Sequence, residues 1–296
     1  MKRFFFSFIL IIILLPCTNT YASHNLNQDL KIMMNNVYDN YDIPDISGEV
    51  NNLPWRNNKD FLKAKENNDT PLLLSGFCAV LKNPLPGEEY NVRLASERIR
   101  GNIVKPSKVF SQNSTIGPYI KSKGYKDGAS YIGGNIIMTE GGGVCKIATT
   151  LYNLAALSNL EIVERYNHSM PINYVPYGQD ATVAYGVKDF RFKNTTDDNI
   201  LIWSQMIDNR LYIGFYGKEN PPKVEWNHEV TNIIEPSIKY IKNEKLKSGE
   251  MVTVLNGMDG ATVKSTITIT KSDGSYIIKN MGISIYSPLP KIIEIN

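Results

Sequence analysis

Cys145 is the residue of this sequence whose type and position best suit covalent chemistry. It closely follows the three consecutive glycines 141–143, and it begins an apolar stretch to about Leu157 that predicts a helix. A thiol at the start of a helix has a lowered pKa, because unpaired N–H groups and the positive end of the helix dipole stabilise its thiolate. The same N–H groups, with that of Gly142 or Gly143, are suited to hold the oxygen of a tetrahedral intermediate. The pattern therefore predicts a cysteine nucleophile.

His168 is the imidazole best placed to assist such a thiolate. The sequence contains three histidines, but His24 lies near its start and His228 belongs to the linker before a β-rich C-terminal segment. His168 comes 23 residues after Cys145, at the start of the segments that follow the predicted helix. A chain that returns along a strand brings this histidine back beside the start of the helix, so we expect the two side chains to be in contact.

A carboxylate is expected to orient the ring of His168, in the role that an aspartate has in a catalytic triad. Asp180, 12 residues further along, is the first candidate, and Asp189 is the alternative. Purely structural interpretations of the three residues stay open beside this one. Cys145 also fits a small buried side chain, His168 a hydrogen-bonded core histidine, and Asp180 a turn cap.

Other classes of site find less support in the sequence. The glycine run lacks the Lys-Ser/Thr pair of a phosphate-binding loop. No CxxC or HxxxH spacing indicates zinc, so neither a metal nor a cofactor is predicted. Two cysteines after the first 22 residues do not make a disulfide framework. A bridge between Cys78 and Cys145 is the alternative that would abolish the chemistry described above.

The first residues have the layout of a secretory signal. A short basic start precedes an apolar run from Phe4 to Leu15, and Thr20-Tyr21-Ala22 is suited to cleavage. The apolar run is short for a membrane span, so residues 1–22 are predicted to be a signal peptide and the protein to be exported. Lipidation at Cys17 is the alternative, although Pro16 fits that motif poorly.

Composition excludes some functions and suggests the size of the core. Hydrophobic residues make up 42% of the chain, which is enough for a substantial core. The formal net charge of +3 is too small to indicate nucleic acid binding. A monomer that acts outside the membrane, at the cell wall or on the outer face of the membrane, is expected.

The pattern along the chain predicts an α+β protein in three parts after the signal. Residues 23–87 are predicted to be an N-terminal extension with a few helical turns. Residues 88–220 are predicted to form a mixed domain with a central helix packed on an antiparallel sheet, and residues 221–296 a small all-β module. A helix is expected at 88–101 and a loop at 116–134. The predicted strands are Lys108–Gln112, Glu161–Arg165, Asn173–Val175, Ala181–Tyr185, Phe190–Lys193, Ile200–Met206, Leu211–Phe215 and Thr262–Thr270.

Several short motifs of uncommon sequence occur in the order found in VanW proteins. They are VFS (109–111), GP (117–118), GGGVCKIATTLYNLA (141–155), ERYNHS (164–169), VPYGQDATV (175–183) and DFRFKNTT (189–196). Over residues 88–220 the chain therefore resembles the VanW family, and its tail is similar to a degenerate G-five (G5) domain. One position departs from the family, which usually has Gln where this chain has Lys146.

The resemblance implies work in the cell envelope. Some VanW-domain proteins are associated with L,D-transpeptidase activity. In this reaction a cysteine attacks a peptidoglycan stem peptide and is acylated by it. For this chain the resemblance implies that Cys145 and His168 perform this chemistry. Gly142 and Gly143, through their backbone N–H groups, and Lys146, next to the cysteine, are the residues expected to contact the substrate. The expected function is thus a cysteine-dependent acyl transferase with stem peptides and the cell wall as partners. A non-catalytic protein that binds peptidoglycan is the alternative.

Overall fold

The computed structural model describes residues 41–132 and 135–296. The predicted signal, Cys17 and His24 lie outside the described residues. Helices in the described ranges are α1 (Lys59–Asn68), α2 (Glu88–Ile99), α3 (Gln112–Ile116) and α4 (Cys145–Leu157), with a short 3₁₀ turn at Lys121–Lys123. None of these helices has the length and apolar content needed to cross a membrane.

A five-stranded antiparallel sheet is the centre of the fold. Its strands, in spatial order, are β1 (Gly48–Glu49), β2 (Leu72–Val80), β10 (Arg210–Gly217), β9 (Ile200–Ile207) and β3 (Asn102–Val104). Two smaller sheets are formed by strands that lie between β3 and β9 in the sequence. One contains β4 (Val109–Ser111), β8 (Arg191–Lys193) and β7 (Glu161–Glu164), and the other is a hairpin of β5 (Asp127–Ile132) and β6 (Asn135–Glu140).

Both faces of the five-stranded sheet are covered, because alternate residues of its strands belong to different cores. Phe77 and Ala79 of β2 join the core that contains residues of α2 and α4. Cys78 and Val80, which alternate with them along the strand, join a second core with Phe61 of α1. Helix α4 thus lies on one face of the sheet and Cys78 points to the other.

Strand β2 lies in a segment for which the sequence predicted only a few helical turns. Its sequence, LLLSGFCAV, is apolar almost throughout and does not alternate. Strands that are buried on both faces have this composition, and periodicity does not distinguish such a run from other buried segments. The segment before residue 88 therefore contributes an inner strand, paired with both β1 and β10.

Two further predictions about secondary structure are wrong. The loop expected at 116–134 includes β5, because its Gly and Tyr content concealed a hairpin whose register pairs Asp127 with Glu140. Strands expected at 173–175 and 181–185 are absent, apart from one isolated bridge between Ala184 and Lys188. The backbone around residue 181 instead bonds to side chains of α4, as described below.

The C-terminal part consists of strands, and from residue 161 onwards the fully described chain contains no helix. One sheet contains β11 (Lys223–Ile234), β14 (Gly260–Thr270) and β15 (Tyr276–Tyr286), all antiparallel. The other contains β12 (Ile238–Lys242), β16 (Leu289–Ile295) and β13 (Met251–Met258). Val224, Ile267 and Ile269 of the first sheet join the core beneath α4. The mixed α+β class expected from the sequence is confirmed.

Candidate active site

The glycines before α4 bring this helix start unusually close to its neighbours. A Cβ atom on Gly142 would lie 2.2 Å from the carbonyl oxygen of Gly128 in β5. Gly143 has a φ of 103°, and a Cβ there would lie 2.8 Å from Cγ of Glu88 at the start of α2. Only glycine allows this approach and this backbone conformation. As a result Cys145 becomes the first residue of α4, partly exposed at the junction of α2 and the hairpin.

The sulfur of Cys145 lies against an extended segment that runs beside α4. Sγ is 3.3 Å from Oγ1 of Thr182 and 3.5 Å from the backbone nitrogen of Val183. Thr149 of α4 fixes this segment, since its hydroxyl accepts from Ala181 N–H and donates to Ala181 C=O, each at 3.0 Å. The hydroxyl and the amide are donors that stabilise a thiolate.

His168 contacts both of the other predicted catalytic residues. Its Nδ1 is 2.6 Å from Oδ2 of Asp180, and its backbone N–H donates to the same oxygen at 2.7 Å. This leaves Nε2 for the sulfur of Cys145, and the two groups are close enough to shift each other's pKa. The structure therefore brings together the cysteine, the histidine and the first-choice aspartate.

Asp180 is a buried carboxylate with a full set of donors. Only 1% of its surface is exposed. Oδ1 accepts from Nη2 of Arg165 at 3.0 Å and from the hydroxyl of Tyr286 at 2.5 Å, while Oδ2 accepts both bonds from His168. Burial acts to raise the pKa of Asp180, but the hydrogen bonds and charges of His168 and Arg165 outweigh it and lower the pKa. The carboxylate is therefore charged.

The thiol and the imidazole favour each other's charged forms. Burial raises the pKa of Cys145, but the hydrogen bond and charge of His168, with the contacts to Thr182 and Val183, lower it below its ordinary value. Burial lowers the pKa of His168, but the bonds to Asp180 and Cys145 prevail and raise it to about 9. The arrangement therefore favours a thiolate beside an imidazolium over the two neutral groups.

The predicted substrate-contacting residues line one cavity with this pair. The cavity has a volume of about 460 Å³, and Gly142, Gly143 and Lys146 lie in its wall with Cys145 and His168. Its other charged lining residues are Glu88, Glu140 and Lys188.

Two backbone donors beside the sulfur are available in this cavity. Gly142 N–H donates to the carbonyl oxygen of Thr139 at 3.2 Å and is therefore engaged. The N–H groups of Gly143 and Cys145 make no hydrogen bond to the described part of the chain. Of the two glycines named from the sequence, Gly143 is thus the one with a free amide.

Lys146, where the family usually has Gln, forms an ion pair with Glu88 of α2. Both side chains are largely buried, with 13% and 12% of their surfaces exposed. The ammonium also lies 4.8 Å from the ring centroid of Tyr174. Burial lowers the pKa of Lys146 to about 8. Its charge is therefore committed to Glu88 and Tyr174, and it joins α4 to α2.

The structure decides two alternatives that the sequence left open: the Cys78–Cys145 bridge, and Asp189 as the carboxylate that orients His168. Cys78 and Cys145 are both free, and Cys78 is completely buried in the core on the far side of the sheet. Asp189 does not contact His168; its carboxylate accepts from Asn113 N–H at 2.9 Å and from the hydroxyl of Ser111. Among the described residues there is no group of three or more His, Cys, Asp or Glu side chains arranged to hold a metal ion.

Three contributors to the site were missed by sequence reasoning. Thr182 contacts the sulfur, Arg165 holds Asp180, and Tyr286 reaches the same carboxylate from β15. Arg165 and Thr182 lie within the motifs at 164–169 and 175–183, and this position is the signal that could have identified them. Nothing local marks Tyr286.

Comparison with known proteins gives the family of the central segment. A family model described as VanW like protein matches residues 87–216. This segment is a VanW-like domain. It contains Cys145, His168, Asp180 and Arg165, whereas Tyr286 lies beyond it.

Two curated relatives are similar to about half of the chain. YoaR of Bacillus subtilis strain 168, described as uncharacterized, is 35% identical over 146 residues, which cover 49% of this chain and 48% of YoaR. Vancomycin B-type resistance protein VanW of Enterococcus faecalis is 26% identical over 158 residues, which cover 52% of this chain and 55% of VanW. The chain thus spans about half the length of the curated relatives it matches.

Two solved structures are similar to a smaller part of the chain. An IgA1 protease G5 domain matches over 26% of this chain and 94% of its own length, with 19% identity and a TM-score of 0.17. The G5 domain of HP0197 matches over 25% of this chain and 99% of its own, with 10% identity and a TM-score of 0.15.

Proposed function

We propose that this protein is an exported enzyme of the cell wall that transfers acyl groups between peptidoglycan stem peptides, as an L,D-transpeptidase. The observation that carries the proposal is the continuous line of contacts from Cys145 through His168 to Asp180. Nucleophilic acyl transfer needs these three groups: a thiolate, an acid–base imidazole and a carboxylate that orients it. The cavity beside them gives a substrate access to the sulfur.

In the first step the Cys145 thiolate attacks the carbonyl carbon that joins diaminopimelate to the terminal D-Ala of a donor stem. A C–S bond forms, and the carbonyl oxygen takes the negative charge, for which the free N–H groups of Gly143 and Cys145 are suitable donors. The C–N bond then breaks, and the imidazolium of His168 gives its proton to the departing nitrogen. D-Ala leaves, and the enzyme holds the stem as a thioester.

In the second step an amine of a neighbouring stem attacks the thioester carbonyl. His168, now neutral, takes a proton from this nitrogen while the new C–N bond forms. The C–S bond breaks and the thiolate returns beside the imidazolium. When water takes the place of the amine, the same steps hydrolyse the thioester and shorten the stem.

The charges of the cavity suit a stem peptide, which carries both carboxylates and an amine. Lys188 is a cation in the wall of the cavity and suits a carboxylate of the donor, while Glu140 suits an ammonium group. Location at the wall is supported by the predicted signal and by the Enterococcus relative, whose name assigns it to vancomycin resistance.

The test is incubation of the protein with a purified disaccharide tetrapeptide, followed by mass spectrometry of the protein and of the released products. We expect a covalent adduct whose mass equals the substrate less D-Ala, together with free D-Ala. Cys145→Ala should abolish both, since no other side chain in the described cavity replaces a thiolate. Cys78→Ala is the matched control and should retain both, because that thiol is buried on the far side of the sheet.

The opposite result would favour the alternative function. If the wild-type protein binds the muropeptide but forms no adduct and releases no D-Ala, and if Cys145→Ala binds equally well, the protein is a non-catalytic peptidoglycan-binding module.

A further inference from the structure

Tyr286, the last residue of β15, reaches into the site from outside the VanW-like domain. Only 1% of its surface is exposed. Its hydroxyl donates to Oδ1 of Asp180 at 2.5 Å and accepts the Gly178 N–H at 2.8 Å. A single phenol therefore links the carboxylate that orients His168 to the loop that carries this carboxylate.

Ser284 extends the same contact from two positions earlier on β15. Successive alternate residues of a strand share one face, so Ser284 and Tyr286 point the same way. The Ser284 hydroxyl accepts from Nη1 of Arg165 at 2.8 Å, while Nη2 of that guanidinium binds Asp180. Both donors to Oδ1 of Asp180 are thus anchored on one strand.

Main-chain contacts fix the histidine segment against the same strand. Asn167 donates its side-chain amide to the Ile285 carbonyl at 2.9 Å, and Ser287 N–H donates to the Ser169 carbonyl at 2.8 Å. These bonds flank His168 on either side. Strand β15 therefore borders the whole segment that presents the imidazole.

The loop before Asp180 approaches β14 so closely that only glycine fits. Gly178 has a φ of 88°, and a Cβ there would lie 2.1 Å from the hydroxyl oxygen of Ser265. The residue thus admits no side chain while the C-terminal sheet is in place.

We infer that the C-terminal sheet of β11, β14 and β15 is a working part of the active site, with Tyr286 as a positioning residue for the Asp180–His168 pair and Ser284 as its support through Arg165. Tyr286 does not line the cavity that contains Cys145. It holds Oδ1 of Asp180 so that Oδ2 faces the histidine. The role of the pair rests on the proposed function, but the positioning is measurable without any substrate.

Through the Asp180 carboxylate, the Tyr286 phenol influences the other groups that interact with this carboxylate. Asp180 is met by His168, Arg165 and Tyr286, and the charge of Asp180 also acts on Tyr152 of α4. His168 passes the effect on to the sulfur of Cys145. Without the phenol, the carboxylate and the Gly178 loop lose a fixed partner, and the contact that keeps the imidazole protonated beside the thiolate becomes looser.

The experiment measures the rate of Cys145 alkylation by iodoacetamide against pH, in the full chain and in Tyr286→Phe. Because the loosened carboxylate holds the imidazole less firmly beside the sulfur, we expect the midpoint of the acidic limb to rise and the rate at neutral pH to fall about threefold to tenfold, the worth of one ordinary hydrogen bond. Tyr276→Phe, at the exposed start of the same strand, should leave the profile unchanged. Identical profiles for the wild type and Tyr286→Phe would overturn the inference.

A second variant tests the support from β15 while Tyr286 is kept. Ser284→Ala removes the acceptor of Arg165 and a hydroxyl that also interacts with the Tyr286 phenol. We expect a shift in the same direction but smaller, and no shift in a folded Ser284→Ala counts against the inference. Far-ultraviolet circular dichroism verifies the fold of each variant. Adduct formation with the tetrapeptide is measured separately. A shifted alkylation profile without any adduct contradicts the proposed substrate and leaves the positioning role intact, whereas an adduct with an unshifted profile contradicts only the positioning role.

Discussion

The Nδ1 atom of His168 and Oδ2 of Asp180 are 2.6 Å apart, and the same oxygen accepts the backbone N–H of His168 at 2.7 Å. One carboxylate oxygen therefore fixes both the main chain and the ring of the histidine. Since Nδ1 is held as a donor, Nε2 is the nitrogen left to exchange a proton with Cys145 in the proposed mechanism.

Asp180→Asn should therefore remove acylation while it leaves the thiol in place. The amide has no charge to stabilise the imidazolium, so the pKa of His168 falls and the thiolate population falls with it. We expect acylation to slow by about 100-fold or more, in line with the loss of a triad carboxylate. The measurement is the rate of adduct formation, with thiolate absorbance as a second readout. Asp189→Asn is the control, since this residue does not contact His168, and it should leave the thiolate absorbance as in the wild type.

The pH profile of acylation should be bell-shaped with its basic limb near pH 9. Cys145 must be deprotonated, and its pKa is lowered, so activity rises on the acidic side of the ordinary thiol range. His168 must be protonated for leaving-group departure, and since its pKa is raised to about 9, activity falls as pH rises through that value.

His168→Ala separates these two limbs. It should move the acidic limb to higher pH, because the thiol loses the imidazolium that lowers its pKa, and it should eliminate the basic limb. Acylation at neutral pH should slow by about two to four decades. A wild-type profile with no basic limb below pH 10 would argue against the imidazolium as the acid.

Lys146→Gln restores the residue usual in the VanW family and tests the ion pair with Glu88. The variant leaves a largely buried carboxylate with a weaker donor, so we expect a loss of roughly 1–3 kcal/mol in the free energy of unfolding. Urea unfolding measures it. The double variant with Glu88→Gln should recover part of the loss, because no charge is then buried without a partner. Additive losses would show that the pair is not coupled.

Lys188→Gln tests the charge that lines the cavity. We expect KM for the tetrapeptide donor to rise about threefold to tenfold with little change in kcat, since one exposed charge contact contributes on the order of 1 kcal/mol. High salt should reduce the difference between the variant and the wild type. An unchanged KM at low salt would exclude this lysine from donor binding.

Local sequence was enough to predict that the three candidate residues Cys145, His168 and Asp180 lie together. Cys145 follows a glycine run at a helix start, and both His168 and Asp180 lie within 35 residues of it. Chemistry of this kind depends on residue type and short spacing, which a sequence displays directly.

Residues that support them from a distance could not be predicted in the same way. Tyr286 reaches Asp180 across 106 positions, and the contact depends on how one sheet docks on another segment. Strand β2 was missed for a related reason, since burial on both faces erases the alternation that indicates a strand. The strand expected at 181–185 failed because α4 side chains such as Thr149 bond to that backbone.

Cys78 and Cys145 lie on opposite faces of one sheet, and this separation has a consequence when the protein meets oxidants. Burial raises the pKa of Cys78 to about 12, so that thiol is inert. The thiol at the cavity, whose pKa is lowered, is the one that we expect peroxide to attack, and Cys78, the other cysteine in the described part of the chain, is on the wrong face to resolve the sulfenic acid that forms. Oxidation thus ends either in a mixed disulfide with a small external thiol, which reduction reverses, or in irreversible over-oxidation of the nucleophile.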